Sequence, residues 1–97
     1  MVTKRQVVED RRKLKQMAKK QVMFNKGDKR VYTPRLCVIC GRPLSSLIIN
    51  EGKYVTIQPH TRYHINDLFI VDICTDVQSC YRTLKKKGEL DEHVHGG

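Results

Sequence analysis

The chain has 97 residues, which is enough for one small domain that buries only a modest share of its surface. No apolar run approaches the roughly 20 residues of a membrane-spanning helix, and the polar N-terminus lacks the apolar segment of a signal peptide. We therefore expect a cytoplasmic protein without a membrane partner. In a reducing compartment, its four cysteines indicate a metal site more than a set of disulfide bonds.

Positive charge is concentrated at the N-terminal end of the chain. Residues 1–36 contain twelve Lys and Arg against three acidic residues, whereas residues 37–97 contain seven of each sign. Such a block is typical of proteins that bind a polyanion, most often nucleic acid, because neutralised phosphates release counterions. The alternative is a solvated helix face with no polyanion partner. We predict a basic helical arm and linker at 1–30, a zinc-binding module at 31–90 and a flexible tail at 91–97.

The first predicted element is a helix over 4–24. Thr3 and Gln6 match a capping box, and the segment contains no Gly or Pro. Its apolar side chains form a narrow stripe among many cations: Val7, Leu14, Met17, Ala18 and Val22. The turn-rich sequence NKGDKR at 25–30 then predicts a linker.

The rest of the chain predicts three strands and a second helix. Two runs rich in β-branched and aromatic residues predict a hairpin over 46–58. A loop is expected over 59–67, and the apolar run at 68–73 predicts a third strand. Asp76 is suited to cap a final helix over 77–87.

The cysteines are spaced as ligands of one tetrahedral zinc ion. Cys37 and Cys40 are separated by two residues, a spacing that lets both thiolates converge on the metal. Cys74 ends the third predicted strand, and Cys80 falls in the first turns of the last helix. His64 is an alternative fourth ligand in place of Cys74 or Cys80. Either set predicts a structural Zn²⁺.

The order of these elements predicts the fold class. A zinc knuckle at 36–44, a β-hairpin, a strand and a helix follow one another as in a small treble-clef or zinc-ribbon-like zinc finger. We therefore expect an α+β fold in which this module follows an N-terminal basic α-helix. Four protein ligands leave no open coordination position and no activated water, so we expect no enzymatic activity and no small-molecule substrate.

Two segments resemble a ribosomal protein family. The sequences VYTPRLCVICGRPLSS and ICTDVQSCYRTLKKKGEL are similar to the zinc-binding form of the fourteenth small-subunit ribosomal protein. The matching positions are Tyr32, Thr33, Arg35, Cys37, Cys40, Gly41, Arg42, Pro43, Ile73, Cys74, Cys80, Arg82, Leu84, Gly88 and Glu89. The resemblance covers about half of the chain and implies a structural zinc and RNA contacts from the arm and the knuckle.

A second likeness leads to a different class of function. The CVIC knuckle and the hairpin before a cysteine-bearing helix resemble small treble-clef inhibitors of bacterial sigma factors. About twenty residues at 47–67 separate the cysteine pairs, and they provide surface that a minimal ribosomal finger lacks. This likeness implies a regulator of transcription, of bacterial or phage type, that binds RNA polymerase or its sigma subunit.

The first of these two functions makes the basic residues the candidate contacts. We expect RNA or another nucleic acid as partner, within a larger ribonucleoprotein, ribosomal or transcription assembly. Most contacts would be with phosphates and would position the protein without reading sequence. The candidates are Arg11, Arg12, Lys15, Lys19, Lys20, Lys26, Lys29, Arg30, Arg35 and Arg42.

Overall fold

The computed structural model describes residues 2–91, which form an α+β fold with two helices. Helix α1 spans Lys4–Met17 and helix α2 spans Val77–Lys86. Each helix follows a capping side chain, since Thr3 and Asp76 accept hydrogen bonds from backbone N–H groups in the first turn. The predicted starts of both helices and the end of the second are confirmed to within one residue. Neither helix is long and apolar enough to cross a membrane.

Most of the backbone pairing lies in a three-stranded antiparallel sheet. Its strands are β2 (Lys20–Phe24), β5 (His60–Asn66) and β6 (Phe69–Cys74), with β5 in the middle. The predicted third strand is thereby confirmed with a shift of one residue.

Two smaller pairs complete the strands. Strands β3 (Ser45–Ile48) and β4 (Lys53–Thr56) form an antiparallel hairpin, which confirms the prediction over 46–58. Strands β1 (Val2–Thr3) and β7 (Leu90–Asp91) pair in parallel. This pairing places Asp91 in a strand, and the rest of the predicted tail, 92–97, lies outside the described residues.

The prediction of a helix over 4–24 is wrong after Met17. Ala18 has an extended backbone, and β2 then pairs along its whole length with β5. Lys20 lies opposite His64, and Phe24 lies opposite His60. The helix-forming Lys and Gln residues of this segment therefore yield to strand pairing, because local propensity is a weak preference that tertiary contacts override.

The prediction of a loop over 59–67 is also wrong. This segment forms β5, the central strand, and its side chains alternate between two faces. Thr61 and Tyr63 lie on the face directed at α1, whereas His60 and Arg62 lie on the other face. The residues of this strand do alternate in character along the sequence. Its His, Arg and Asn residues, however, make the two-residue period of a strand hard to recognise.

A single core joins the basic N-terminal segment to the cysteines. Val7 of α1 is 1% exposed and belongs to the same buried cluster as the four cysteines. Leu44, Ile73 and Leu84 complete much of that cluster. Helix α1 is therefore packed against the core that contains the cysteines.

Candidate metal centre

Three elements bring the four cysteines together. Cys37 and Cys40 lie in the knuckle turn, Cys74 is the last residue of β6, and Cys80 lies in the first turns of α2. All four side chains are buried, with exposures of 2% or less. The predicted cluster is thus assembled from positions up to 43 residues apart.

The sulfur atoms are arranged as a metal would require. All four Sγ atoms lie within 4.8 Å of one another. The Cys37–Cys80 and Cys40–Cys74 Sγ pairs are each 3.7 Å apart. A tetrahedral zinc ion with bonds of about 2.3 Å separates its sulfur ligands by about 3.8 Å. The four cysteines therefore fit a metal ion at their centre.

The knuckle turn is closed by backbone hydrogen bonds. The Gly41 N–H donates to the Cys37 carbonyl at 2.7 Å, and the Cys37 N–H donates to the Arg42 carbonyl at 2.9 Å. Gly41 has φ +76°, a conformation that side chains with a Cβ rarely adopt. The Lys87 Nζ donates to the Cys40 carbonyl at 3.0 Å, so the residue that follows α2 also holds the turn.

Arg11 of α1 reaches into the metal centre. Its Nη1 donates to the Cys74 carbonyl at 2.8 Å and lies 3.4 Å from the Cys80 Sγ, to which it also donates. Its Nη2 donates to the Thr75 carbonyl at 3.3 Å. The positively charged Arg11 guanidinium at this position stabilises negative charge on Cys80. Arg11 is one of the predicted phosphate contacts, but its guanidinium is bound within the protein.

The thiols cannot all ionise without a cation. Hydrogen bonds from Cys40, Cys74 and Cys80 lower the pKa of Cys37 far below its usual range. Contact with Cys37 raises the pKa of Cys74. Contact with Cys37 also raises the pKa of Cys80. Cys37 raises the pKa of Cys40 while Cys74 and Cys80 lower it, and the net value is about 7. Four thiolates in this space therefore need a bound metal ion.

A buried carboxylate attaches the knuckle to the sheet. The Asp72 side chain is fully buried and accepts hydrogen bonds from the Nε atoms of Arg35 and Arg62. The backbone of Asp72 pairs with Cys37, and its carbonyl accepts from the Val38 N–H at 2.9 Å. Arg35, another predicted phosphate contact, thus neutralises a carboxylate inside the protein.

His64 lies away from the cysteine cluster. It is half-buried on β5, opposite Lys20 of β2, and it borders a surface cleft with Lys19 and Asp67. Among the described residues, the group that could hold a metal consists of the four cysteines without a histidine.

Most of the remaining predicted phosphate contacts lie at the surface. The exposed ones are Arg12, Lys15, Lys19, Lys20, Lys26, Lys29 and Arg30. Arg30 forms an ion pair with Asp28 at 2.6 Å, which lowers the pKa of that carboxyl. Lys29 lies 3.4 Å from Glu51 of the hairpin connection.

An open cleft of about 560 Å³, here called the α1 cleft, lies between α1 and the three-stranded sheet. Arg11, Arg12 and Lys15 line it from the helix. Met23 and Tyr63 contribute apolar surface from the sheet. No carboxylate occurs among the described residues that line this cleft, and Glu9, which pairs with Arg12 at 3.1 Å, lies outside its lining.

A second basic cleft, here called the knuckle cleft, lies between the knuckle and α2. It measures about 400 Å³ and is lined by Arg42, Arg82, Lys86 and Lys87. Only Arg42 of these four is a predicted contact. The sequence signal for the other three is the run RTLKKK, which the balanced net charge of residues 37–97 conceals.

The metal centre and both clefts are built from residues that lie far apart in the sequence. Arg11 and Cys80 alone are separated by 69 positions.

No protein-family model, no curated protein and no solved structure matches this chain.

Proposed function

We propose that the protein is a non-catalytic RNA-binding protein whose fold is stabilised by a structural zinc ion. Its place would be in the cytoplasm, in the ribosome or another ribonucleoprotein assembly. The observation that carries the proposal is the α1 cleft, in which the exposed cations Arg12 and Lys15 lie beside the exposed apolar side chain of Met23 and no carboxylate occurs among the described lining residues. Exposed cations that can reach phosphates, next to apolar surface that bases can contact, are features of sites for single-stranded nucleic acids.

Zinc is the metal that we assign to the cysteine cluster. Four sulfur ligands in a tetrahedron suit zinc or iron, and the all-cysteine set closes the site against water and substrates. Such a site contributes folding free energy and no chemistry. Ligands from a knuckle and from the start of a helix after a hairpin support the treble-clef class for this module. Elemental analysis of the purified protein distinguishes zinc from iron.

The test of RNA binding uses point variants, because a deletion of α1 would remove Val7 from the core. Arg12→Gln with Lys15→Gln neutralises two exposed cations and keeps good helix formers. Affinity for a fluorescently labelled single-stranded RNA should fall. The slope of log affinity against log salt concentration should become shallower by about 0.7 for each lost phosphate contact.

Lys53→Gln is the matched control, since Lys53 is an exposed cation on β4, outside the α1 cleft. It should bind RNA as the parent does. Fluorescence anisotropy across a salt series measures both quantities, and circular dichroism verifies the fold. An unchanged affinity and slope in the Arg12/Lys15 variant would refute the proposal.

A second candidate function is a small protein-binding regulator of transcription. The observation that favours it is the exposed apolar turn between β5 and β6, where Leu68 is 97% and Phe69 is 53% exposed. Ile49, at 85%, adds exposed apolar surface in the hairpin. Contiguous exposed apolar side chains, such as the adjacent Leu68 and Phe69, are typical of protein contacts.

This candidate is tested with purified bacterial RNA polymerase and its sigma subunit. Co-elution after nuclease treatment and in high salt, lost on Leu68→Asp, would support the regulator. Absence of a complex with either protein would reject it.

A further inference from the structure

The α1 cleft and the knuckle cleft are joined by a third cleft. This cap cleft, of about 200 Å³, lies at the start of α2 and is bordered by Asp76 and Ser79. It shares Thr75 with the α1 cleft and Arg42 with the knuckle cleft. The three clefts therefore adjoin one another along α2, from Asp76 at its start to Lys86 at its end.

The cations of the knuckle cleft are held close together by the fold. Arg82 and Lys86 lie four residues apart on α2, where like charges repel each other. A Cβ on Gly41 would lie 2.9 Å from the Lys87 Nζ, so the ammonium group of Lys87 packs against the knuckle turn. The Lys87 Nζ also lies 3.3 Å from the Glu89 Oε2.

Stabilisation of the helix by its own charges explains only part of this cluster. Cations in the last turn of a helix interact favourably with its dipole, which accounts for Lys86. Arg82 lies in the middle of α2, and Arg42 belongs to the knuckle. An anion bound between the knuckle and α2 would offset the repulsion of all of them.

We propose that one single strand of RNA runs through all three clefts, with phosphates at Arg12 and Lys15 at one end and at Arg82 and Lys86 at the other. This inference rests on the proposed function and specifies its ligand. A single strand is flexible enough to follow a series of narrow clefts along a helix, whereas a duplex is recognised across its wide groove and backbone. The Asp76 carboxylate in the cap cleft repels the strand at the midpoint.

The first experiment neutralises the far end of the path in the full chain. Arg82→Gln with Lys86→Gln should weaken binding of a labelled single-stranded RNA and make the salt slope shallower by about 1.4. Combined with Arg12→Gln and Lys15→Gln, the losses in log affinity should add. Lys53→Gln should change neither quantity, and a duplex of the same sequence should bind more weakly than the single strand.

The second experiment changes the midpoint. Asp76→Asn removes the negative charge and keeps the cap of α2, because Asn caps helices as well as Asp. It should bind the single-stranded RNA more tightly than the parent, by an amount that shrinks as salt is raised. Thermal unfolding of the variant verifies that the cap is retained.

The outcomes separate this inference from the proposed function. Loss of affinity in the Arg12/Lys15 variant with none in the Arg82/Lys86 variant overturns the path and leaves RNA binding in place. Unchanged binding in Asp76→Asn, or equal binding of duplex and single strand, also overturns the path. Unchanged RNA binding in the Arg12/Lys15 variant overturns both the path and the proposed function, and unchanged binding in both double variants directs attention to an acidic protein partner.

Discussion

Arg11 and Arg12 are neighbours in the sequence with opposite environments in the structure. Arg11 points to the metal centre, where it donates to the Cys80 sulfur and to two carbonyls. Arg12 is exposed and forms an ion pair with Glu9 at 3.1 Å. Both residues are cations in the same basic run. The direction in which each side chain points from α1 therefore decides whether it contacts the cysteines or the solvent.

The first prediction concerns the hydrogen bond from Arg11 to the metal centre. Arg11→Ala removes a donor to the Cys80 thiolate, and loss of such a partner typically lowers metal affinity by about 10- to 100-fold. Arg12→Ala, the neighbouring control, should leave the affinity unchanged. Competition with a chromophoric chelator measures the affinities, and equal values for parent and Arg11→Ala would contradict the prediction.

The second prediction concerns the identity of the ligands. Cys80→Ser should lose most of the bound metal, because Cys80 is fully buried within the sulfur cluster. His64→Ala should retain one metal ion per chain, because His64 lies on β5 outside that cluster. Elemental analysis gives the stoichiometry, and thiolate absorption after cobalt substitution counts the sulfur ligands. Loss of metal from His64→Ala would restore histidine as a ligand.

At the scale of elements, α1 and β2 illustrate how packing replaces a local preference. The long run of helix-forming residues continues beyond Met17, but β2 forms where β5 offers a strand to pair with. Lys19 already donates its N–H to the His64 carbonyl at 2.9 Å. Backbone hydrogen bonds to the sheet satisfy the same groups that a longer helix would have satisfied.

The third prediction compares two adjacent valines of α1. Val7 is 1% exposed and Val8 is 47% exposed. Val7→Ala should lower the free energy of unfolding by about 2 kcal/mol, since it removes buried methyl groups and leaves a cavity. Val8→Ala should change it by less than about 0.5 kcal/mol.

Denaturant unfolding of the metal-loaded protein measures both changes. Equal effects of Val7→Ala and Val8→Ala would mean that α1 is not docked on the cysteine core. A large loss confined to Val7→Ala would show that α1 belongs to the cooperative unit.

At the scale of the whole molecule, the metal centre is where separate elements meet. The knuckle, β6 and α2 supply the sulfur atoms, and α1 supplies Arg11. Asp72 adds a second junction, because Arg35 and Arg62 both bind its buried carboxylate. A chain of this size has a small apolar core, so a metal ion bound by the four cysteines would contribute a large share of its stability.

The fourth prediction is that removal of the metal unfolds the protein. A strong chelator should abolish the cooperative thermal transition, and added zinc should restore it. At zinc concentrations 100 times the dissociation constant, the gain in stability is about 2.7 kcal/mol. Affinity should rise with pH, because the thiols must release their protons to bind metal. A thermal transition that the chelator leaves unchanged would contradict the prediction.

Sequence and structure agree where a feature depends on neighbouring residues. The helix caps at Thr3 and Asp76, the hairpin β3–β4 and the close spacing of Cys37 and Cys40 are local patterns. A capping side chain or a turn acts within a few residues, so the sequence alone is enough to predict it.

The tertiary structure decided the features that join distant parts of the chain. The pairing of β2 with β5 joins segments about 40 residues apart, and its basic and polar residues give no strong strand signal. The same holds for Arg11 at the metal centre and for the basic clefts, which arise from residues of α1, the knuckle and α2. The sequence by itself determined the close Cys37–Cys40 pair and the excess of positive charge, whereas the tertiary structure brought Cys74 and Cys80 to that pair and placed His64 outside the cluster. Tertiary packing alone decided which cations bind groups inside the protein and which face solvent, because this depends on where each side chain points in three dimensions.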